Sequence, residues 1–459
     1  MNKRRLYYSA CSLSVLVLSG ALAPAAPATN SDPVALETVE VLGSREQAYR
    51  ATVAPQTNKS DTPLQQIPFS VQVVTRELIA DRGALTLGEA LRYTPGLAPQ
   101  VGFSNSNDRF TIRGFTTPFS YTNGFRRSGY SVDTQLANLE QIEILKGSAS
   151  ALYGRAEPSG IVNIVTKKPQ RDAFTEISVL AGDFEAFRAA IDTNQPLGDA
   201  FGFRLNASFD DRGSYRDLVE SQSRFVAPVM SWSPTDATTV SLELEYSELR
   251  SFPDRGFGNS ALFLQAPRHR QFAGADASLE RDGGSVTLSV DHRLSDRFSL
   301  RVAGQHSTFE INALIYNAGF PAVTGFPGTA PRVNVVPNDT YDKQRNTTGQ
   351  VELYARFKTG EWGHQGLLGL EQGEDYWDYL FLRTATVSFD FNNPEVPGPA
   401  TGPFSVNFGG QEKARASAAY FQNEMARGSW RFLIGGRYDW SEASVYSYGF
   451  GAPSFNERS

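Results

Sequence analysis

The feature that most constrains this chain is a two-residue alternation of apolar and polar side chains that recurs from residue 174 to residue 440. In residues 240–247, VSLELEYS, valine, leucine and tyrosine occupy one parity, and serine and glutamate occupy the other. Side chains of a strand point alternately to its two faces, so this pattern predicts strands with one apolar and one polar face. We expect about eleven such strands, at residues 174–181, 186–195, 201–210, 222–232, 238–248, 285–293, 298–309, 347–358, 364–374, 414–426 and 430–440.

The lengths of the connections distinguish a membrane barrel from a soluble β-sandwich, which shows the same alternation. Short turns at 196–200, 233–237, 294–297, 359–363 and 427–429 alternate with longer links at 211–221, 249–284, 311–346 and 375–413. In outer-membrane barrels the periplasmic turns are short and the external loops are longer. The chain therefore predicts an antiparallel transmembrane β-barrel, whose aromatic girdles would account for part of its 31 Phe and 18 Tyr.

These predicted strands do not close a barrel. The first starts on the periplasmic side and the last ends on the outer side, followed by a loop-like tail at Gly449–Ser459. Single-chain bacterial barrels have an even number of strands, and an open edge leaves unpaired backbone groups in lipid. We therefore expect an N-terminal fragment of a longer protein, with about half of the barrel present in residues 174–459.

The N-terminus has the parts of a secretory signal peptide, which we place at residues 1–28. Cations at positions 3–5 precede an apolar stretch at 13–22, and small residues offer cleavage sites near Ala26 or Ala28. A membrane anchor is the alternative, but the stretch is shorter than the ~20 residues that a spanning helix needs. The only cysteine, Cys11, lies in this segment, so the processed chain would have no disulfide and no cysteine nucleophile.

Residues 29–62 are polar and rich in Pro, Thr, Gln and Ala, which predicts a flexible tail. Within this tail, Glu37–Gly43 alternates apolar and polar residues at strand period. Such a segment is suited to adding itself to the sheet edge of a partner protein, and a plain linker is the alternative.

Residues 63–170 predict a compact α+β domain. We expect strands at 69–74, 110–115, 142–145 and 161–166. A short helix at 75–81 would be capped by Thr75 and ended by Gly83, and a second helix at 86–92 has Thr86 and Glu89 at capping-box spacing.

Four blocks of this domain resemble the plug of TonB-dependent outer-membrane receptors. They are TLGEALRYTPGL at 86–97, FTIRGF at 110–115, YTNGF at 121–125 and LEQIEILKGSASALYGRAEPSGIVNIVTKKP at 139–169. Their order is similar to the ferric-siderophore branch, and YGRAEPSG at 153–160 is similar to receptors for hydroxamate-type siderophores, with Ser159 in place of the usual second Gly. The resemblance implies a barrel of about 22 strands whose lumen the plug fills.

The resemblance also implies the transport mechanism. A ferric siderophore would enter the periplasm of a Gram-negative bacterium through the outer membrane. TonB, with its inner-membrane energising complex, would act on a box formed by Glu37, Thr38, Val39, Glu40 and Val41. The extra N-terminal signalling domain of transducing receptors would be absent. A chain that lacks half of the wall would be inactive.

The expected ligand site needs neither a cofactor nor protein metal ligands, because the siderophore already holds the iron. The four histidines show no ligand spacing. Candidates for an aromatic and polar cup, in plug loops and at one barrel loop, are Gln100, Phe103, Phe119, Tyr121, Arg126, Arg127, Tyr130, Tyr376, Trp377 and Tyr379. Arg126 and Arg127 would favour an anionic chelate. Arg113 and Lys146 match positions that, in the family, hold the plug to barrel carboxylates.

Other function classes have less support. The net charge of −6, with both signs interspersed, argues against a nucleic-acid partner. The chain has no G-x-S-x-G, H-E-x-x-H or P-loop motif, so we do not expect an enzyme. Import of another chelate, such as cobalamin or haem, and a passive porin or phage receptor are the alternatives.

Overall fold

The computed structural model shows a small α+β domain packed against the polar face of a wide antiparallel sheet, which we call the wall. The structure describes residues 48–101, 108–117, 120–127, 134–147, 150–154, 159–256, 262–324, 331–392, 402–449 and 454–458. The predicted signal peptide and box at 1–47 lie outside the described residues.

The small domain corresponds to the predicted plug. Its helices are α1 (Pro55–Asn58), α2 (Arg76–Asp81), α3 (Leu87–Leu91) and α4 (Ser150–Tyr153), with 3-10 turns at Leu64–Gln66 and Leu136–Asn138. Its strands are β1 (Ser70–Thr75), β2 (Leu97–Val101), β3 (Asp108–Ile112), β4 (Phe115–Thr117), β5 (Tyr121–Thr122), β6 (Phe125–Arg126), β7 (Leu139–Lys146) and β8 (Gly160–Thr166). The main sheet has the order β1-β7-β8-β5-β6, and a second sheet has the order β2-β3-β4. None of the described helices is long and apolar enough to cross a membrane.

Local sequence sets the helix starts as predicted. The Thr75 hydroxyl accepts a hydrogen bond from the Leu78 amide at 3.4 Å and so caps α2. Thr86 and Glu89 form both hydrogen bonds of the capping box at the start of α3. The apolar sides of these elements form the plug core, which consists of Val74, Ile79, Leu87, Ala90, Leu91, Leu97, Phe110, Ile112, Leu139, Ile142, Ile144, Val162 and Ile164.

The wall contains all the strands that the alternation predicts, together with the two short strands β18 and β21. The strands are β9 (Phe174–Ala181), β10 (Phe187–Leu197), β11 (Phe201–Arg212), β12 (Ser221–Thr235), β13 (Thr238–Ser251), β14 (Ser278–Arg293), β15 (Phe298–Thr324), β16 (Arg332–Thr359), β17 (Trp362–Arg383), β18 (Val387–Asp390), β19 (Ser405–Arg427), β20 (Trp430–Gly449) and β21 (Ser454–Arg458). A 3-10 turn lies at Phe263–Gln265. Neighbours in the chain pair, except that β18 pairs with β16, and β17 pairs with β19. Within the described residues, the end strands β9 and β21 do not pair with each other, so the sheet is open.

The strands extend further toward the long links than predicted. β15 and β16 remain paired up to Thr324 and Arg332, so most of the predicted link at 311–346 is a hairpin. The tail expected to be a loop contains β21, which pairs with residues 443–447 of β20. The alternation fades there because neither face needs to match lipid, whereas the backbone hydrogen bonds of the ladder continue.

The wall exposes its apolar face and buries its polar face, which is the reverse of a soluble sandwich. On one face apolar side chains are exposed, as at Leu288 (51%) and Ile434 (55%). On the other face polar side chains are buried, as at Arg204 and Asn206 (both 0%). A soluble sandwich buries its apolar face, so this arrangement excludes that alternative and identifies the apolar face as the lipid face.

Aromatic residues on the lipid face gather near the short turns. Phe201 stacks on Trp232 with ring centres 5.9 Å apart, and Trp362 lies 5.6 Å from Phe432. These rings form part of a girdle at one membrane surface, as the aromatic content predicted.

Candidate ligand site and plug–wall interface

The face of the wall that contacts the plug can be followed along each strand by its two-residue period. On β17, Leu367 packs with plug residues, and Asp375 pairs with plug Arg126. The same parity continues to Trp377 and Tyr379, which therefore lie on the lumen face. Tyr376 has the opposite parity, and the Arg345 guanidinium lies 4.6 Å from its ring. Tyr376 is thus removed from the set of lumen candidates, because adjacent residues of a strand cannot share a face.

Trp377 and Tyr379 belong to a larger aromatic group. Their rings are 4.4 Å apart, and Phe381 stacks on Phe408 of β19, also at 4.4 Å. Tyr379 lies 6.4 Å from Phe408, which joins the two pairs. We call Trp377, Tyr379, Phe381 and Phe408 the aromatic wall. Half-buried rings are suited to an organic ligand, and the buried carboxyl of Asp342 on the neighbouring strand β16 lies opposite Tyr379.

The sequence prediction missed two members of the aromatic wall. Phe381 follows from extending the period of Trp377 and Tyr379 by one step. Phe408 had no local signal, because its place beside Phe381 depends on the pairing of β17 with β19.

Arg126 and Arg127 both contact carboxylates of the wall. A guanidinium nitrogen of Arg126 lies 3.7 Å from a carboxylate oxygen of Asp375. A guanidinium nitrogen of the buried Arg127 lies 3.1 Å from a carboxylate oxygen of Glu245, and the Arg127 guanidinium carbon lies 5.5 Å from the centre of the Phe309 ring. In this structure both cations connect plug and wall, and their role toward an anionic chelate stays a prediction.

The remaining plug candidates are at different depths. Tyr121 is buried at the plug–wall interface, and its ring meets Tyr153 edge-on at 5.0 Å. Gln100 is exposed on β2 and donates to the Thr111 hydroxyl. The other three candidates, Phe103, Phe119 and Tyr130, lie outside the described residues.

Arg113 and Lys146 contact no carboxylate of the described wall, so their role in holding the plug to the barrel stays a prediction. Lys146 donates to Gln72 Oε1 at 2.8 Å and to the Pro95 carbonyl, both inside the plug. Burial lowers the pKa of Lys146, and the nearby Arg113 adds to this effect. Among the described residues, no wall carboxylate lies within ion-pair distance of either cation. The motif placed both on the plug, but their partners depend on how the plug sits in the wall.

Other cations hold the plug to the wall instead. Lys167 lies 2.8 Å from Asp192, which also receives two hydrogen bonds of 2.8 Å from Arg204. Burial lowers the pKa of Lys167, and Asp192 opposes this effect. Lys59 pairs with Glu352, and Lys168 pairs with Glu243. Within the described residues, no group of three or more His, Cys, Asp or Glu is placed to hold a metal ion.

The two parts of the chain match two parts of one protein family. Residues 63–161 match the family model of the TonB-dependent Receptor Plug Domain. Residues 230–459 match the model described as TonB dependent receptor-like, beta-barrel, which covers half of the chain. The chain belongs to the TonB-dependent receptor family. Members of this family are transporters and not enzymes.

Curated relatives match most of this chain. The metal-pseudopaline receptor CntO of Pseudomonas aeruginosa (strain UCBPP-PA14) is 30% identical over an alignment 446 residues long, which covers 93% of this chain and 62% of that protein. The ferrichrome outer membrane transporter/phage receptor of Escherichia coli (strain K12) is 26% identical over an alignment 435 residues long, which covers 84% of this chain and 56% of that protein. The chain therefore spans about three fifths of the length of these relatives.

Solved structures show the same fold. The siderophore receptor PiuA from Acinetobacter baumannii aligns with a TM-score of 0.81 at 20% identity, covering 90% of this chain and 63% of that one. The open form of the ferric-catecholate import receptor Fiu from Escherichia coli K12 aligns with a TM-score of 0.77 at 22% identity, covering 89% and 68%.

Proposed function

We propose that this chain forms the plug and part of the wall of a receptor that imports a ferric siderophore across the outer membrane. The observation that carries this proposal is the aromatic wall, a set of four rings on the lumen face of the sheet. On β17 these rings follow directly after Asp375, which contacts the plug. Relatives named as ferrichrome and ferrioxamine B receptors support a chelate of this class.

The energy for import would come from TonB. The proposed contact is the box Glu37–Gly43, about ten residues after the proposed signal cleavage near Ala28. A strand-like segment ahead of the plug can pair with a sheet edge of TonB in the periplasm and transmit a pull to the plug.

A second cargo is favoured by one observation. The relative with 30% identity is named as a receptor for metal-pseudopaline, a metal complex not named for iron. The proposed cargo class therefore includes complexes of other metals with small organic chelators. The metal arrives inside the cargo, so the receptor itself would supply aromatic and polar contacts.

Binding to the purified chain tests the aromatic wall. We expect Trp377→Ala and Tyr379→Ala each to weaken binding of radioiron-labelled ferrichrome or ferrioxamine B about tenfold, because aromatic side chains that a ligand covers dominate binding energy. Tyr376→Ala is the matched control, since that ring lies on the other face of the same strand. Equal loss in all three variants, or no loss in the first two, would contradict the site.

Growth of an iron-starved strain carrying the complete receptor gene tests the cargo and the energy source. Ferric siderophores should restore growth, and deletion of Glu37–Gly43 should abolish the rescue. Rescue by haem alone would show another iron-containing cargo, and cobalamin-dependent growth of a cobalamin auxotroph carrying the same gene would show a cobalamin cargo. Uptake that survives the deletion would show a passive pore.

A further inference from the structure

Two carboxyl groups lie beside the aromatic wall, one on each strand next to β17. Asp342 of β16 lies opposite Tyr379, and Glu412 of β19 lies opposite Trp377. The spacing of strands and the rise along them place the two Cα atoms roughly 12 Å apart, with β17 between them. The rings of β17 therefore have an acidic side chain on either side.

The strand register places both carboxyl groups on the lumen face. On β16, Glu352 has the parity of Asp342 and pairs with the plug residue Lys59. On β19, Tyr420 has the parity of Glu412 and accepts a hydrogen bond from the same lysine at 3.1 Å. The pairing of β17 with both strands has no register shift between these positions, so the two-residue period is unbroken.

Neither carboxyl group has a cationic partner in the part of the chain that the structure describes, where no lysine, arginine or histidine nitrogen lies within ion-pair distance of it. Asp342 is buried and accepts a hydrogen bond from Gln344 Nε2 at 2.9 Å. Glu412 is half-buried. A carboxylate removed from water without a counter-charge is costly, so a cation that arrives here would be stabilised.

The plug arginines beside this face are offset by other carboxylates. Arg126 lies near Asp375, and Arg127 lies near Glu245. Each of these pairs is close to neutral as a unit. The charge that the described plug and wall leave beside the rings is therefore negative.

Two arginines of the wall also have the lumen parity. Arg281 of β14 lies in the same row of the sheet as Asp342, with Ile311 of β15 between them. Arg383 is exposed at the end of β17, beyond Phe381. Neither lies within ion-pair distance of the two carboxyl groups, so neither neutralises them at the level of the rings.

Aromatic rings and carboxylates together attract organic cations. The face of an indole or phenol ring has a negative potential, and an ammonium group that lies over it is attracted. Carboxylates close to the rings add a Coulomb attraction, which is stronger in a partly buried site than in water. The same groups repel a carboxylate or a phenolate of a ligand.

We propose that the site selects chelates that carry a protonated amine, and that this amine binds against Trp377 and Tyr379 with Asp342 and Glu412 as its counter-charges. A neutral chelate of the same shape binds less tightly, and an anionic chelate binds least. That the cargo is a chelate rests on the proposed function. The sign of the charge that this face attracts does not, and it can be measured without a chelate.

Two chelates that differ in one charge test the selection. Ferrioxamine B has a terminal primary amine, which is protonated at about pH 7.5, and acetylation of this amine gives a neutral complex with the same iron centre. The purified chain should bind ferrioxamine B about tenfold more tightly than the acetylated form. Equal binding, or tighter binding of the acetylated form, would overturn the proposal.

Variants assign the preference to the two carboxyl groups. Glu412→Gln and Asp342→Asn should each lower the ratio of the two affinities several-fold, because only ferrioxamine B loses a charge interaction. A variant that merely disturbs the site would weaken both chelates equally and leave the ratio unchanged. Asp378→Asn is the matched control, since Asp378 lies on the other face of β17, where it accepts a hydrogen bond from Tyr376. A preference that persists in both lumen variants would overturn the assignment.

Cysteine labelling measures the charge of this face without a chelate. Ala414 of β19 lies on the lumen face opposite Asp375, two residues from Glu412. In a chain with Cys11→Ser and Ala414→Cys, a cationic methanethiosulfonate should react several-fold faster than an anionic one, after each rate is divided by its rate with a free thiol. Adding Glu412→Gln should lower this ratio, and adding Asp378→Asn should not.

The labelling separates a failure of this proposal from a failure of the proposed function. A ratio near one, or a faster reaction of the anionic reagent, would overturn the charge preference whichever chelate binds. A clear preference for the cationic reagent, with no binding of either chelate, would instead contradict the chelate as cargo and support the charge preference.

Discussion

Glu143 is a carboxyl group that is fully buried on β7 of the plug. It accepts hydrogen bonds from the Thr57 amide at 2.6 Å and from Gln141 Nε2 at 2.7 Å. Burial raises the pKa of Glu143, and these hydrogen bonds oppose the rise. Because the folded-state pKa exceeds the unfolded value of about 4.3, the contribution of Glu143 to stability is full below that value and is lost as pH rises through the folded-state pKa.

We expect Glu143→Gln to flatten this loss of stability with rising pH. The amide is neutral at every pH and can still accept the Thr57 hydrogen bond. Urea unfolding of the plug, followed by exchange of β7 amides between about pH 4 and pH 8, measures the effect. The variant should equal the wild type at the acid end and exceed it at neutral pH. Parallel curves would show that Glu143 is not the titrating group.

At the scale of elements, the pairing of β7 with β8 depends on a position that admits no side chain. Gly160 starts β8 with φ +130°, and a Cβ there would lie 1.9 Å from the Leu145 carbonyl oxygen. Backbone atoms on the neighbouring strand cannot move aside as a flexible side chain can. This glycine therefore sets how closely the two central strands of the plug approach.

We expect Gly160→Ala to destabilise the plug by roughly 2–6 kcal/mol, the sum of backbone strain and overpacking. Gly83→Ala is the control, because Gly83 also has positive φ (+61°) but a Cβ there meets nothing within 4 Å. Gly83→Ala should lower the free energy of unfolding of the plug by only about 1–2 kcal/mol. Urea unfolding monitored at β7 and β8 gives both values, and equal costs would mean that the Leu145 contact does not matter.

At the scale of the whole molecule, the two faces of the wall are in two different environments. Its outer face matches lipid and its inner face matches a polar plug, so the same substitution has different effects at different depths. Leu288 lies on the lipid face of β14 among exposed apolar residues. Asp282 lies on the same face nearer the long loops, opposite Glu248 and Glu310.

We expect Leu288→Arg to destabilise the chain in lipid bilayers by about 2–4 kcal/mol, the cost of a cation at mid-depth on the lipid face of a barrel. Asp282→Arg should cost about 0–1 kcal/mol, because it lies near the membrane surface and gains two glutamate neighbours. Urea titration of vesicle-inserted chain measures both. A similar cost at the two sites would contradict the assignment of the lipid face.

Much of this organisation was predicted from the sequence. The long wall strands and their two faces follow from the two-residue alternation of apolar and polar side chains, which neighbouring residues show. The plug helices begin where Thr75 and Thr86 cap them. The four plug blocks also pointed to the family. Each of these signals is local, because a strand face or a helix cap is decided within a few residues of itself.

The contacts between plug and wall could be decided only by the tertiary structure. Lys59 and Glu352 are 293 positions apart, and nothing near either residue marks the other as its partner. For the same reason nothing in the sequence near Arg126 and Arg127 marks Asp375 and Glu245 of the wall as their partners. A charge pairs with whatever the fold brings within a few ångströms. The sequence by itself therefore determined the strands, their faces and the plug, and the packing of plug against wall decided which residues hold them together.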